Sequence, residues 1–241
     1  MTDVAALDAM FGQMDTATAR HSDSISGLTD REKTLLRLTA DVCAQALGLP
    51  FELHLRAGLP LGVTTADVRA LLRLISYDSG YHTALAALDR LVELETALGL
   101  ARPDVAELPG ELLTSGPDAP PSPLPDPVRA VLAQLDPQFL DYFDLQSRMR
   151  TPAGPGTLTI RERAFATMSI DIHYQTLGDT FRIHTQRALG GGATVHDVRG
   201  VLRFNAQFGA TRAWQAWQAF HAHAAEAGWD LDGISTAAAR S

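Results

Sequence analysis

Two histidines stand where they could move protons. His54 and His184 each follow an aspartate by 13 residues (Asp41, Asp171) and a glutamate by 22 (Glu32, Glu162). A carboxylate beside an imidazole fixes its tautomer and aims the other ring nitrogen at the group that gains or loses a proton, as general acid–base catalysis requires. The second set is the richer one. Ile170-Asp171-Ile172-His173-Tyr174 stands where the first set has Ala40-Asp41-Val42-Cys43-Ala44, so His173 and Tyr174 add an imidazole and a phenol. Asp171 and Tyr174, three residues apart, share a helix face. The first set has Tyr77, Tyr81 and His82 further along, where the second has only Phe208 and Arg212. Arg56 and Arg187 neighbour the histidines and could grip a substrate carboxylate with two N–H groups. The competing reading of each histidine is a buried imidazole satisfied by its carboxylate and doing no chemistry.

These spacings serve chemistry only if a helix carrying the acids turns back onto a helix carrying the histidine. The sequence predicts such a pair twice. Thr29 with Glu32 forms a capping box, and Leu35, Leu36, Leu38, Val42 and Leu47 carry an apolar face over 30–47. Gly48-Leu49-Pro50 interrupts it, and a short helix bearing His54 follows. Gly62-Val63-Thr64-Thr65 caps a helix over 66–77, and a last helix runs over 80–98. The second half predicts helices over 137–149, 160–178, 181–189, 196–207 and 210–227. Strand signals are nearly absent, so the expected class is all-α. Thr64, Thr194, Glu32 and Glu162 are open to a reading as helix caps alone.

The pairing of sets reflects a repeat. At an offset of 130, 18 of the 46 positions from 28 to 73 are identical, where chance gives about three. Leu7-Asp8 and Phe11 echo Leu135-Asp136 and Phe139 more weakly. Eight of the 13 prolines fall between Pro103 and Pro127, and Ser115–Pro127 reads as a semi-rigid non-helical linker. The expected organisation is a first helical repeat over 1–100, a Pro-rich linker over 101–128, a second repeat over 129–230 and a flexible tail over 231–241.

Composition narrows the function classes. The chain has 241 residues, 46% hydrophobic and 20% charged, with a net charge of −8. That is enough apolar content for a core, and it argues against nucleic-acid binding through a general basic face. No apolar run reaches the roughly 18 residues of a membrane helix, and Met1-Thr2-Asp3-Val4 lacks the basic and apolar regions of a signal peptide, so a soluble cytoplasmic protein is expected. The single cysteine, Cys43, excludes an intramolecular disulfide and any Cys-x-x-Cys motif, and it reads as a small buried hydrophobe. His173, His184 and Asp171 are acceptable metal ligands in type, though their spacing matches no strong metal motif. His221 and His223 read as solvated, and Arg69/Arg199 and Arg73/Arg203 as surface ion-pair partners. Trp214, Trp217 and Phe220 form a core or interface stripe. Gly190-Gly191-Gly192 follows a helix and fits no phosphate loop.

The motifs, in their order, resemble the carboxymuconolactone decarboxylase family, which includes alkylhydroperoxidase D. The second half carries Leu158-Thr159-Ile160-Arg161-Glu162-Arg163, then His184-Thr185-Gln186-Arg187-Ala188-Leu189, then Gly192-Ala193-Thr194-Val195-His196-Asp197-Val198. The first half carries Gly62-Val63-Thr64-Thr65-Ala66-Asp67-Val68 and Tyr77-Asp78-Ser79-Gly80. The resemblance covers about two-thirds of the chain. It implies an all-α bundle of two family-like repeats, assembled into a trimer- or hexamer-like ring, here a dimer or trimer of fused chains. Hydroperoxidase relatives carry Cys-x-x-Cys one turn before the histidine; here Leu47-Gly48-Leu49-Pro50 and Leu177-Gly178-Asp179-Thr180 hold no thiol. Disulfide chemistry within one chain is thereby excluded.

The resemblance therefore implies the lactone decarboxylase branch, a lyase working without a cofactor or metal on a small carboxylated or carbonyl substrate. It would act by decarboxylation or a related isomerisation, dehydration or cyclisation. The relatives' Glu–His relay carries over to Glu32, His54, Glu162 and His184. With Asp41, Asp171, His173 and Tyr174 these complete the candidate catalytic set, and the second-half site is favoured. Rival readings are a non-catalytic oligomeric binding protein of the same fold, and a hydroperoxidase-like antioxidant using Cys43 with another chain.

Overall fold

The computed structural model describes residues 4–150, 158–229 and 231. Among them are twelve α-helices, three short 3₁₀ segments and no strand. In chain order the helices are α1 (Val4–Leu7), α2 (Ala9–Asp23), α3 (Asp30–Cys43), α4 (Leu49–Gly58), α5 (Thr65–Asp78), α6 (Tyr81–Leu98), α7 (Asp126–Leu135), α8 (Pro137–Arg150), α9 (Ile160–Tyr174), α10 (Asp179–Gly190), α11 (Val195–Asn205) and α12 (Ala210–Ala227).

These helices gather into two compact units. One is discontinuous in sequence, built from Met1–Val63 and Thr159–Ser241; the other is Thr64–Leu158. Residues 1–100, expected as the first repeat, contribute to both. The tail expected over 231–241 lies, beyond Leu231, outside the described residues.

In the discontinuous unit α3 packs against α9. Both start on a capping box: Thr29 and Thr159 each accept a hydrogen bond from the backbone N–H three residues on, and Glu32 and Glu162 reach back to the threonine N–H at 2.8 and 2.7 Å. The adjacent arginines then cross. Arg31 Nε donates to Glu162 at 2.7 Å and Arg161 Nε donates to Glu32 at 2.6 Å, a reciprocal pair that locks the two helix starts together. Beneath them Phe165, Phe181, Phe204 and Phe220, each under 2% exposed, fill the core with Leu36 and Met168. Each buried phenyl contributes roughly 1.5–3 kcal/mol of transfer free energy.

The other unit rests on two helix pairs. The first, α5 and α6, buries Leu74, Ile75, Ala87 and Leu91. The second, α7 and α8, is joined by an Arg129–Asp144 ion pair at 3.0 Å. Helix α7 enters the segment expected as linker. Pro127 sits in its first turn, where the missing N–H has no intrahelical partner to lose.

Two helices end earlier than the apolar pattern suggests, α3 at Cys43 rather than 47 and α9 at Tyr174 rather than 178. The cause is Gln45 and Gln175, which adopt the left-handed conformation at φ +54° and +60°. The next N–H, from Ala46 or Thr176, closes back on the Asp41 or Asp171 carbonyl at 2.8 or 3.0 Å. Each glutamine also donates its side-chain amide to the carbonyl three residues back, at 2.9 and 2.6 Å. Those bonds offset the roughly 1–2 kcal/mol that left-handed backbone costs a residue with a Cβ.

Candidate functional site

The early helix ends create the site. Because each chain reverses at its glutamine, α4 returns along α3 and α10 along α9, bringing each histidine back to the aspartate 13 residues earlier. His54 Nδ1 lies 2.6 Å from Asp41 Oδ2, and His184 Nδ1 lies 2.6 Å from Asp171 Oδ2. An ionised carboxylate can only accept, so in each pair Nδ1 donates, and in the neutral ring Nε2 then holds the lone pair. Neither Nε2 has a hydrogen-bond partner among the described residues.

The two pairs differ in their surroundings. The His54 side chain is 27% exposed, that of His184 only 6%. Burial pushes the Asp41 carboxyl above its ordinary value, against the opposing hydrogen bond and charge of His54 and the charge of Arg37. Asp171 has an additional partner: Thr176 Oγ1 donates to its second oxygen at 2.7 Å. Ala46 occupies the matching position in the first half. In the sequence Thr176 is marked only as a hydroxyl in one half where the other has an alanine.

The other expected site residues fall elsewhere. Glu32 and Glu162 lie in the capping boxes and crossed arginine pairs, and neither histidine hydrogen-bonds them. The Glu–His contact implied by the resemblance is therefore replaced by Asp–His. A glutamate in a helix's first turn is held by its own cap, whereas an aspartate in the last turns faces the returning helix.

His173 and Tyr174, members of the candidate catalytic set, turn toward α3 and α12. The Tyr174 hydroxyl donates to the Cys43 carbonyl at 3.3 Å, and its ring meets His173 edge-on at 5.1 Å. One guanidinium nitrogen of Arg212 lies 3.1 and 3.3 Å from the two ring nitrogens of His173. Those nitrogens point apart, so a donor close to both sits over the ring. Burial, reinforced by the Arg212 charge, lowers the His173 pKa to about 4 despite a hydrogen bond to the Cys43 backbone. His173 is therefore neutral near pH 7. Ile172, Asn205, Phe208 and Gly209 complete a recess of about 10 Å³ beside it, room for about one water.

Arg56, a candidate substrate clamp, is engaged by Glu52 on its own helix at 2.9 Å. Arg69, expected in a surface pair, instead meets Glu95, a carboxylate only 1% exposed. His221 is exposed, but His223 is half-buried against Phe181. Trp214 is exposed, while Phe220 enters the core. Cys43 is buried. Among the described residues no three of His, Cys, Asp and Glu come together as a metal ion would need, so His173, His184 and Asp171 are not assembled as a ligand set. No described helix is long and apolar enough to cross a membrane.

No family model and no curated protein matches the sequence. A solved structure does match. It is a Burkholderia xenovorans LB400 protein given the provisional description of a gamma-carboxymuconolactone decarboxylase subunit, 23% identical over 95% of this chain and 90% of that one, with a TM-score of 0.54. The two chains share a fold. This likeness agrees with the all-α class that the motif resemblance implied, and at that identity it speaks to the fold alone.

Proposed function

We propose that this chain is a cofactor-independent acid–base enzyme, a lyase of the carboxymuconolactone decarboxylase type acting on a small carboxylated or carbonyl substrate. The observation that carries this reading is the Asp171–His184 contact of 2.6 Å with Nε2 left without a partner, repeated at Asp41–His54. In the proposed reaction Nε2 of one histidine takes or gives the substrate proton, while the aspartate holds the ring and stabilises the imidazolium that forms. In a decarboxylation the histidine starts as the imidazolium: loss of CO₂ leaves a dienolate, Nε2–H gives its proton to the dienolate carbon, and the neutral ring takes its next proton from water. Related proton transfers, namely isomerisation, dehydration or cyclisation, use the same pair.

The two halves would derive from one duplicated unit, a reading supported by matching caps, matching left-handed glutamines and matching Asp–His pairs. The chain would work as a soluble cytoplasmic homo-oligomer of fused repeats, a dimer or trimer. Thr176 favours the second pair as the working one, since it fixes the outer oxygen of Asp171. The deep burial of His184 supports a second reading, a binding protein whose pairs are structural.

The deciding experiment incubates the metal-stripped protein with 4-carboxymuconolactone and follows CO₂ release, with His54→Ala and His184→Ala alongside. Release lost in one variant supports the enzyme and assigns the working half. No release by the unaltered chain removes this substrate, and no turnover of other proton-transfer substrates would leave the binding-protein reading.

A further inference from the structure

Helices α6 and α12 bury residues at matching positions. Ala84, Ala87, Leu91 and Glu95 of α6 stand 129 residues before Ala213, Ala216, Phe220 and Ala224 of α12, and all eight are buried. One of these positions changes character. Glu95 accepts from Arg69 Nε and Nη2 at 3.1 and 2.6 Å, and from Arg102 Nε at 3.0 Å. Helix α12 has an alanine there. The arginines of α5 are nevertheless matched on α11, Arg69 by Arg199 and Arg73 by Arg203. Helix α11 thus carries the cations without the buried acid.

Among the described residues no other carboxylate takes that place. Arg199 Nη1 donates to the Leu231 carbonyl at 3.2 Å; its Nε is buried with no hydrogen-bond partner, and its Nη2 makes no hydrogen bond. The guanidinium carbon lies 5.7 Å from the centre of the Trp217 ring. Arg203 is half-buried and makes no hydrogen bond or ion pair among the described residues. Burial, and then the charge of Arg199, push its pKa below the ordinary value, and no carboxylate charge opposes them. The two arginines stand four residues apart, so they share a face of α11 on which like charges repel. The chain as a whole carries a net charge of −8 and repels anions, so this pair is a local exception. Guanidinium N–H groups match the oxygens of phosphates and carboxylates. A phosphate monoester, with about 1.5 to 2 negative charges near pH 7 and three acceptor oxygens, balances two guanidiniums where a carboxylate balances one.

We propose that Arg199 and Arg203 bind a small phosphate monoester, its terminal oxygens shared between Arg199 Nη2 and the Arg203 guanidinium. The site is separate from the Asp–His pairs and does not depend on their role.

Isothermal titration of the full chain at fixed ionic strength tests it with glycerol 3-phosphate, acetate and glycerol. Saturable binding of glycerol 3-phosphate, at least tenfold tighter than that of acetate and absent with glycerol, is expected. Arg203→Gln should weaken it at least tenfold. Ala224→Glu, which sets an acid where α6 has Glu95, should do the same by neutralising Arg199. The circular dichroism of both variants is checked, and Arg203→Gln decides if the buried Ala224→Glu change does not fold. Asp230 and Asp232 flank Leu231 in the sequence and lie outside the described residues, so a chain with both changed to asparagine is titrated alongside. Absence of saturable binding by the unaltered chain overturns the proposal, and binding that appears only in the Asp230→Asn, Asp232→Asn chain assigns the arginines to the chain's own acids instead. Acetate that binds as tightly as glycerol 3-phosphate, or a folded Arg203→Gln chain that binds it unchanged, also overturns it.

Discussion

His173 makes the stability of the discontinuous unit depend on pH in a way that can be isolated. Burial, then the Arg212 charge, lowers its pKa from 6.5 to about 4. The folded chain therefore binds fewer protons at this site than the unfolded chain between those two values, so stability is lost as pH falls below 6.5. Taken at face value, the shift costs about 2.5 kcal/mol at pH 4.5 and almost nothing at pH 7. His173 is only half-buried, and solvent screening cuts the expected effect to about 1 kcal/mol. The groups facing it are Arg212, Tyr174 and the Cys43 backbone, and no described carboxylate offsets the guanidinium. His173→Asn keeps a polar side chain that does not titrate. Urea unfolding of both chains at pH 7.0 and 4.5 gives the difference, in which the other titrating groups cancel. The variant should gain about 1 kcal/mol on the parent between the two pH values. A difference between the chains that stays constant with pH would refute the reasoning.

Other outcomes follow from the same geometry. A double-mutant cycle on Arg31 and Glu162 should give a coupling of about 1–3 kcal/mol in urea unfolding, because Glu162 is 7% exposed and keeps only its Thr159 bond once Arg31 is removed; coupling below about 0.3 kcal/mol would mean the crossed pairs are ornamental. Phe204→Ala should cost about 3–5 kcal/mol, the cavity penalty of a fully buried phenyl, read as a lowered denaturation midpoint. Thr176→Ala should cost about 1 kcal/mol, with Thr176→Ser restoring most of it, since the Asp171 oxygen loses one donor; equal losses in both would assign the effect to packing.

The helices were legible because their boundaries are written in local chemistry. Thr29, Thr64, Thr159 and Thr194 each stand three residues before an acid, and each caps a helix that way. The ends at Cys43 and Tyr174 were hidden, because glutamine gives no stop signal and Leu47 and Leu177 prolong the apolar rhythm. The Asp–His spacing of 13 was readable as a returning helix. The destination of the glutamates was not, because Arg31 and Arg161 recruit them across 131 and 129 residues of chain, a distance over which periodicity carries no information. Burial hides the same way: Arg69 looks like a surface residue until Glu95 is found beneath it.

The crossed arginine pairs also set an order of assembly. Helix α3 finds its partner α9 only after residues 64–158 have been made. At about 5–20 residues per second a ribosome needs on the order of 10 s for that stretch. During this interval Leu36 lacks its partners Phe165 and Met168, and Glu32 lacks the arginine that neutralises it. The unit Thr64–Leu158, continuous in sequence, is synthesised in full before α9. Joining α3 to α9 thus carries the entropy of closing a long loop, and non-local docking of this kind is slow relative to local helix pairing.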